Sequence, residues 1–245
     1  MTFTTPAPVE NPPQTLILEP YLAEDHLEHI YTSEMHDDGA QVIVAHQETC
    51  NGTDVVVVYQ AFSSAIADYA VQHQSFLGAP EYKPDRMTWI KPSFLWMQYR
   101  SGWNTKDARQ ARTLAIRLTR DFFDTLVKTA VISSHHRSSY ATKDDWEMAR
   151  DKSCVVVQWD PQYTPSALVP ERVVGSKRRA IQLGLKGTAA AKLARGTGDD
   201  GVVSIEDITP FVNEMRDLLV KDNNNSGQDR FANLWVPKER PYHVK

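Results

Sequence analysis

Apolar residues recur along the chain in two patterns, alternation and helical spacing, and each pattern predicts one type of element. Val55–Val58 is continuously apolar, which indicates a strand covered on both faces. Residues 41–45 and 54–60 are both rich in strand-forming residues and flank the turn signal Cys50-Asn51-Gly52, so they predict a β-hairpin. Further strands are predicted over residues 16–21, 86–90, 113–118, 155–159, 179–185 and 202–209.

Apolar residues at helical spacing predict helices between these strands. Ser63 and Ser64 precede one such run, and serine is favoured at a helix start. The other predicted helices cover residues 23–35, 94–99, 121–131, 142–150, 188–195 and 211–220. No strand is followed by GxGxxG or GxxxxGK[ST], and strands and helices are mixed in order. We therefore expect an α+β fold, a single domain around a curved, mostly antiparallel sheet flanked by helices.

The two ends of the chain differ in composition from the middle. Residues 1–15 are rich in proline and threonine and are predicted to form a disordered leader. Residues 16–220 are predicted to form one catalytic or nucleotide-binding domain. Residues 221–245 begin with a polar, asparagine-rich run, and we expect a loop followed by an extended tail that packs on the body.

Composition narrows the class of protein. The chain has 245 residues, of which 41% are hydrophobic and 24% charged, as in an ordinary globular protein. A net charge of -4 argues against a passive nucleic-acid coat but allows a local basic groove. We expect no membrane span and no secretory signal, because no long apolar run and no basic segment followed by an apolar one is present. With two distant cysteines, the expected location is the cytoplasm or nucleus.

The segment Arg86–Trp103, RMTWIKPSFLWMQYRSGW, stands out because it contains three of the chain's six tryptophans. Its first five residues are predicted to form a strand, and Pro92 is predicted to take the first position of a helix. Lys91 then lies at a strand-to-helix corner among bulky aromatic residues. A lysine there either extends to water, pairs with an anion, or has its pKa lowered by desolvation. It is thus either a structural lysine with a buried stem or one that binds or attacks a phosphate.

Other polar residues are set among strand-forming ones and could join Lys91 in a site. In a strand, Gln182, Gly184 and Lys186 share one face, and the glycine would let a ligand approach closely. Arg100 and Lys91 could bind one anion, and Trp89 and Tyr59 could supply an aromatic surface for a base. Standard motifs for other chemistry, such as HExxH, paired CxxC and GxSxG, are absent from the sequence.

Five segments resemble the domain-of-unknown-function family 4291, whose members occur in bacteria and fungi: Tyr59-Gln60-Ala61, Arg86–Trp103, Trp159-Asp160-Pro161, Arg179–Leu185 and Ile208-Thr209-Pro210. The resemblance covers roughly residues 55–215 and rests chiefly on the string RMTWIKPSFLWM. The chain differs from the usual short form by a longer region before Asp54 and by the asparagine-rich run. The family name implies no activity, but the resemblance implies that Arg86–Trp103 is the family's signature.

An ATP-dependent RNA ligase, a type of nucleotidyltransferase, is the first function that we consider. In such an enzyme a lysine amine attacks the α-phosphorus of ATP, and AMP passes from the lysine to a 5′-phosphate end before a 3′-hydroxyl is joined. Lys91 is the candidate nucleophile, and Asp160 and Glu206 are the candidate ligands of Mg²⁺. The candidate nucleotide and phosphate ligands are Tyr59, Gln60, Arg86, Trp89, Ser93, Arg100, Arg179, Gln182 and Lys186. The expected partner is RNA, either tRNA or another structured RNA end.

The residues after Lys91 differ from those of classical ligases. Such ligases carry KxDG or KxxG, whereas Lys91 is followed by Pro92-Ser93-Phe94, so as a ligase this chain would belong to a divergent branch.

Two alternatives to the ligase hypothesis remain open. An ADP-ribosyltransferase using NAD on RNA or protein is the second hypothesis, because Val57–Ala61 and the strand that leads to Ser93 resemble the first two motifs of that superfamily. Lys91 would then only contact phosphate, and Glu206 is its candidate catalytic acid. The third hypothesis is a non-catalytic module that binds RNA or a nucleotide.

Overall fold

The computed structural model describes residues 8–21, 43–161, 163–165, 180–198, 201–221, 231 and 233–245. Four sequence predictions lie wholly or partly outside these residues: residues 1–7 of the leader, the helix over residues 23–35, most of the loop that follows Lys221, and the candidate phosphate ligand Arg179.

The described residues form six helices and eleven strands. The helices are α1 (Ser64–His73), α2 (Phe94–Ser101), α3 (Arg120–Lys128), α4 (Lys143–Lys152), α5 (Gly187–Arg195) and α6 (Thr209–Lys221). The strands are β1 (Leu18–Pro20), β2 (Ile43–Cys50), β3 (Thr53–Phe62), β4 (Thr88–Ile90), β5 (Arg112–Thr119), β6 (Val131–Ile132), β7 (Val155–Asp160), β8 (Ala180–Leu185), β9 (Val202–Asp207), β10 (Trp235–Pro237) and β11 (Glu239–Tyr242). β6, β10 and β11 were not predicted from the sequence.

An antiparallel sheet of five strands, in the order β11-β2-β3-β5-β9, forms the centre of the fold. Val55–Val58 in β3 is at most 2% exposed, which confirms the prediction of a strand covered on both faces. The predicted hairpin is also confirmed, since β2 pairs with β3 around Asn51 and Gly52. Both turn residues have positive φ, 50° and 80°, as a tight hairpin turn of this kind requires.

The remaining strands form two further sheets. One has the order β4-β8-β7-β6, with only the β6–β7 pair parallel, and β1 pairs with β10 in the other. The predicted α+β fold with mostly antiparallel pairing is therefore confirmed. On one side, β3 changes neighbours along its length. β2 pairs with β3 only as far as the pair His46 and Val57, and beyond that point Lys91 pairs with Tyr59.

A pair of backbone hydrogen bonds joins the two larger sheets at Tyr59 and Lys91. The Tyr59 N–H donates to the Lys91 carbonyl at 2.7 Å, and the Lys91 N–H donates to the Tyr59 carbonyl at 3.1 Å. Lys91 follows directly after β4, so this bridge fixes the backbone of the corner against the centre of the five-stranded sheet.

Two apolar cores lie on opposite faces of the five-stranded sheet. Side chains of β3 alternate between them: Val56 and Val58 pack in the first core, and Val57 and Tyr59 in the second. The first core is shared with α1, α3, α5 and the four-stranded sheet. The second is covered by α2, α6 and the segments near both termini.

Ser93, and not Pro92, defines the start of α2. The helix begins at Phe94, so the prediction that Pro92 takes its first position is wrong. The Ser93 hydroxyl accepts a hydrogen bond from the Trp96 N–H at 3.5 Å, and the Glu239 carboxylate accepts one from the Phe94 N–H at 2.5 Å. These two acceptors satisfy first-turn amides that have no partner within the helix. Because Ser93 is the N-cap residue, Pro92 lies before the helix and not in its first turn.

The segments near both termini lie against the body of the protein. The N–H groups of Glu10 and Asn11 donate to the Glu214 carboxylate at 2.7 and 2.8 Å, and the Gln14 N–H donates to Glu206 at 2.6 Å. Near the other end, β11 extends the five-stranded sheet by pairing with β2. None of the helices in the described ranges is long and apolar enough to cross a membrane.

Candidate functional site

A cleft of about 990 Å³ opens beside Lys91, between the four-stranded sheet and α2. Its lining comes from the ends of several strands, from α2 and from the residue that precedes α1. Seven residues singled out in the sequence line this Lys91 cleft: Gln60, Arg86, Trp89, Lys91, Arg100, Asp160 and Gln182. The structure thus brings together most of the residues predicted to form the site.

Lys91 is buried although its side chain lines the cleft. It is 7% exposed, and its amine donates a hydrogen bond to the Trp89 carbonyl at 3.3 Å. Burial, and then the charge of Arg100, lower the pKa of the Lys91 amine from 10.5 to about 8, while Asp160 acts in the opposite direction. About half of such amines are neutral at pH 8, and the neutral form is the nucleophile.

Two glutamine amides hold the Asp160 carboxylate at the floor of the cleft. Gln158 and Asp160 share one face of β7, and Gln182 lies opposite Gln158 on β8. The Gln158 amide donates to one Asp160 oxygen at 2.7 Å, and the Gln182 amide donates to the other at 2.8 Å. Asp160 is 6% exposed, so the floor presents a buried carboxylate in a fixed orientation.

Trp89 fills the space beside Gly184. The two residues are direct neighbours across the β4–β8 pair. A Cβ atom on Gly184 would lie 2.9 Å from two Trp89 ring atoms and 3.0 Å from the sulfur of Met87. The prediction that Gly184 lets a ligand approach is therefore wrong, because the missing side chain accommodates an indole ring of the protein itself. Trp89 remains half-buried and lines the cleft.

Three aromatic rings form one wall of the cleft: Trp96 and Tyr99 from α2, and Tyr163. The rings of Tyr99 and Tyr163 stack at 4.0 Å with an interplanar angle of 8°, and Trp96 stacks on Tyr99 at 5.0 Å. A hydrogen bond to Tyr163 raises the pKa of the Tyr99 hydroxyl. Such a wall suits stacking with a nucleobase.

The lining of the cleft carries an excess of positive charge. Lys83, Arg86 and Arg100 line it, are exposed, and have no carboxylate partner in the part of the chain that the structure describes. The acidic residues of the described lining are Asp160 and the exposed Glu81. This balance favours an anionic ligand even though the whole chain is acidic.

Buried polar atoms in the lining lack partners. The Gln60 amide nitrogen donates to the Thr88 hydroxyl, but its oxygen has no partner among the described residues, and the side chain is 5% exposed. The same holds for the indole N–H of Trp96, which is 6% exposed, and for the Ser63 hydroxyl. Buried polar groups are nearly always paired, so we expect an ordered water or a polar ligand to hydrogen-bond with these atoms.

Tyr59 and Ser93 were predicted to contact a nucleotide, but the structure places both elsewhere. Tyr59 is fully buried in the second core, where its ring packs edge-on against Phe94 at 5.6 Å. Successive residues of a strand face opposite sides, so Gln60 faces the cleft and Tyr59 does not. The Ser93 hydroxyl caps α2 and does not line the cleft.

Lys186 and Glu206 also lie away from the cleft. The Lys186 amine donates to the carbonyl oxygens of Arg150 and Asp151, at 3.0 and 3.2 Å, at the end of α4. A cation is favourable there because helix carbonyls carry partial negative charge. Glu206 contacts the N-terminal segment at Gln14, in a separate groove. Asp160 and Glu206 therefore line different grooves and do not form the predicted pair of metal ligands in one site.

Several lining residues were missed in the sequence. Tyr99 lies three residues after Trp96 on α2, a spacing that places both side chains on one helix face and could have identified it. Ser63, Lys83 and Tyr163 carry no local signal, since only the chain's long-range path brings them to the cleft.

Asp160 is the buried carboxylate that could hold a metal ion in the cleft. The described residues contain no cluster of three or more His, Cys, Asp or Glu side chains with metal-binding geometry. Mg²⁺ is commonly bound by one or two carboxylates together with phosphate oxygens of the substrate. Asp160 and a bound triphosphate fit this donor set, whereas a metal site built from protein ligands alone does not.

A second cavity, of about 1200 Å³, lies between α3, α4 and α5. It contains Cys154, whose thiol pKa is lowered chiefly by a hydrogen bond with the Thr188 hydroxyl. All charged residues of its lining are exposed or half-exposed. We therefore assign the candidate site to the Lys91 cleft, where two ionisable residues, Lys91 and Asp160, are buried.

Comparison with known proteins identifies the family of this chain. A family model described as "Domain of unknown function (DUF4291)" matches residues 43–242. No curated protein matches the chain. The matched range includes every described residue that lines the Lys91 cleft.

Proposed function

The chain belongs to the DUF4291 family, whose description assigns no activity, and we propose that it is an ATP-dependent nucleotidyltransferase of the RNA ligase type. The observation that carries this proposal is Lys91, a buried amine with a pKa of about 8 that lines a cleft rich in cations. An ordinary surface lysine is almost fully protonated at neutral pH and cannot attack phosphorus.

In the proposed reaction, the neutral Lys91 amine attacks the α-phosphorus of ATP. A nitrogen–phosphorus bond forms, the bond to pyrophosphate breaks, and the amine proton passes to solvent. The terminal phosphate of an RNA 5′ end then attacks the same phosphorus and takes AMP from the lysine. Attack by a 3′-hydroxyl on the activated end joins the RNA and releases AMP.

The remaining cleft residues would bind and orient the nucleotide. Arg100 lies close enough to Lys91 to affect its pKa, so it is suited to bind the phosphate under attack. The aromatic wall of Trp96, Tyr99 and Tyr163 would stack with adenine. Mg²⁺ would be held by Asp160 and phosphate oxygens, where it would neutralise the charge of the triphosphate. In this proposal the protein acts on RNA ends in the cytoplasm or nucleus.

Intact-mass spectrometry after incubation with ATP and Mg²⁺ tests the proposal. We expect a mass gain of one AMP, mapped by peptide analysis to Lys91, that is lost in Lys91→Ala. Lys128→Ala, which removes an exposed lysine on α3, is the matched control and should keep the adduct. An adduct that persists in Lys91→Ala, or no adduct in the wild type, contradicts the proposal.

An ADP-ribosyltransferase that uses NAD is the second candidate, favoured by the fixed carboxylate of Asp160. A carboxylate held by Gln158 and Gln182 could stabilise the positive charge that develops on ribose when nicotinamide leaves. A further variant, Asp160→Asn, distinguishes the two functions: release of nicotinamide from NAD that is lost in Asp160→Asn, with no adduct on Lys91 after incubation with ATP, would support this candidate. Binding of RNA with consumption of neither nucleotide would support a non-catalytic module.

A further inference from the structure

The start of α1 faces the Lys91 cleft without a cap of its own. Ser63 is the residue before the helix and lines the cleft, but its hydroxyl makes no capping hydrogen bond. No acidic residue occupies the first turn of this ten-residue helix. The first-turn amides of a helix lack partners within the helix and carry partial positive charge, so they attract anions.

Gln60 provides an independent sign that a ligand binds beside this helix start. It is three residues from Ser63, lines the same cleft, and is 5% exposed. Its amide nitrogen donates to the Thr88 hydroxyl, and its amide oxygen has no donor in the described part of the chain. Leaving a buried acceptor unpaired is unfavourable, so a ligand hydroxyl that donates a hydrogen bond to this oxygen would be bound selectively.

Two cations line the same cleft as this helix start. Lys83 and Arg86 line the cleft near Thr88, the partner of Gln60, and neither has a carboxylate partner among the described residues. Tyr82, directly before Lys83, packs against Phe62, directly before Ser63, with ring centroids 6.3 Å apart, and the Arg86 N–H donates to the Lys83 carbonyl at 3.1 Å. The turn that carries Lys83 and Arg86 therefore lies beside the start of α1.

We infer that the start of α1, with Ser63, Gln60, Lys83 and Arg86, is a second anion subsite that takes the terminal 5′-phosphate of a polynucleotide. The phosphate accepts hydrogen bonds from the first-turn amides and the Ser63 hydroxyl, and Lys83 and Arg86 balance its charge. Gln60 binds the sugar of the same terminal nucleotide. The inference rests on the proposed function in naming an RNA end as the source of the phosphate.

Equilibrium binding of a short single-stranded RNA tests this subsite. Fluorescence anisotropy with a 3′ label would compare the same RNA carrying a 5′-phosphate or a 5′-hydroxyl. We expect the wild type to bind the phosphorylated RNA roughly ten-fold more tightly, as charge-assisted hydrogen bonds to one extra phosphate allow. Ser64→Asp places a carboxylate in the first turn of α1, and the ratio of the two dissociation constants should fall to about one.

A matched variant on the same helix controls for the change in net charge. Gln72→Glu adds the same charge in the last turn of α1 and should keep the roughly ten-fold ratio. Thermal unfolding should show that Ser64→Asp folds normally, because an acidic residue is favourable at a helix start. A ratio that persists in Ser64→Asp, or a wild type that binds both RNAs equally, overturns the inference.

The design separates this inference from the proposed function. If Ser64→Asp raises the KM for ATP in adduct formation and leaves the RNA ratio unchanged, the subsite binds phosphates of ATP and the inference is overturned. If the wild type forms no adduct on Lys91 but its RNA ratio is lost in Ser64→Asp, the ligase activity fails and the 5′-phosphate subsite is supported.

Discussion

The amine of Lys91 lies in an environment that disfavours its charge. Burial removes water from the ammonium group, Arg100 repels it, and one backbone carbonyl accepts its hydrogen bond. A buried lysine of this kind reduces the stability of the fold and so needs a functional reason. Lowering of the lysine pKa is useful to an enzyme that requires a neutral amine.

Lys91→Met should increase stability at neutral pH. The pKa of the amine falls from 10.5 unfolded to about 8 folded, so protonated Lys91 destabilises the fold by on the order of 3 kcal/mol. Between these values the unfolded chain binds more protons, and the wild type gains stability as pH rises. The advantage of Lys91→Met should therefore be full below pH 8 and shrink towards pH 10.5. Urea unfolding across this pH range measures the stability difference between Lys91→Met and the wild type. A difference that does not change with pH would contradict the prediction.

At the scale of elements, the corner between β4 and α2 is fixed from three directions. β8 holds β4 through the contact of Trp89 with Gly184, and β3 holds the backbone of Lys91 through Tyr59. Glu239 from β11 caps α2. Each attachment comes from a distant part of the chain, so the position of Lys91 depends on the packing of the whole fold.

Gly184→Ala should destabilise the corner by about 1–3 kcal/mol, because the new methyl group would lie 2.9 Å from the Trp89 ring. Trp89→Leu in the same chain removes the clash, so the double variant should lose less stability than the sum of the two single variants. Urea unfolding of the four proteins gives this comparison. Additive losses would show that Trp89 and Gly184 are not coupled.

At the scale of the whole molecule, the cleft forms where the two larger sheets separate. β3 pairs with β2 over part of its length and with Lys91 beyond it, so Gln60 and Lys91 meet at the junction. The end of the chain stabilises this arrangement, because β11 both extends the five-stranded sheet and supplies the cap of α2. We therefore expect the C-terminal segment to influence the cleft although it does not line it.

Glu239→Ala should reduce the free energy of unfolding by about 1–2 kcal/mol, since it leaves the buried Phe94 N–H without its acceptor. Hydrogen exchange of the Phe94 amide should become faster. Glu147→Ala removes an exposed carboxylate paired with Lys143 on α4 and should change stability by less than about 0.5 kcal/mol. Equal effects of the two variants would contradict the assigned role of Glu239.

The sequence by itself determined the elements and several polar residues of the cleft. Periodicity of burial is local, so alternation and helical spacing located most helices and strands, and Asn51-Gly52 identified the hairpin. The sequence also identified Lys91, Gln60, Asp160 and Gln182 as candidate site residues. A polar residue within an apolar strand can be recognised without knowing which strands lie beside it. That these four residues line the same cleft could only be hypothesised, since no local sequence pattern gives the distance between two segments.

Only the tertiary structure decided which way neighbouring residues face and what they contact. Gln60 faces the cleft and Tyr59 the core because β3 pairs with β5 and Lys91 in one particular register. Lys186 binds the end of α4, and Glu206 binds the N-terminal segment, through contacts between distant parts of the chain. Long-range strand pairing and packing set these contacts, and neither is encoded in the spacing of residues along one segment.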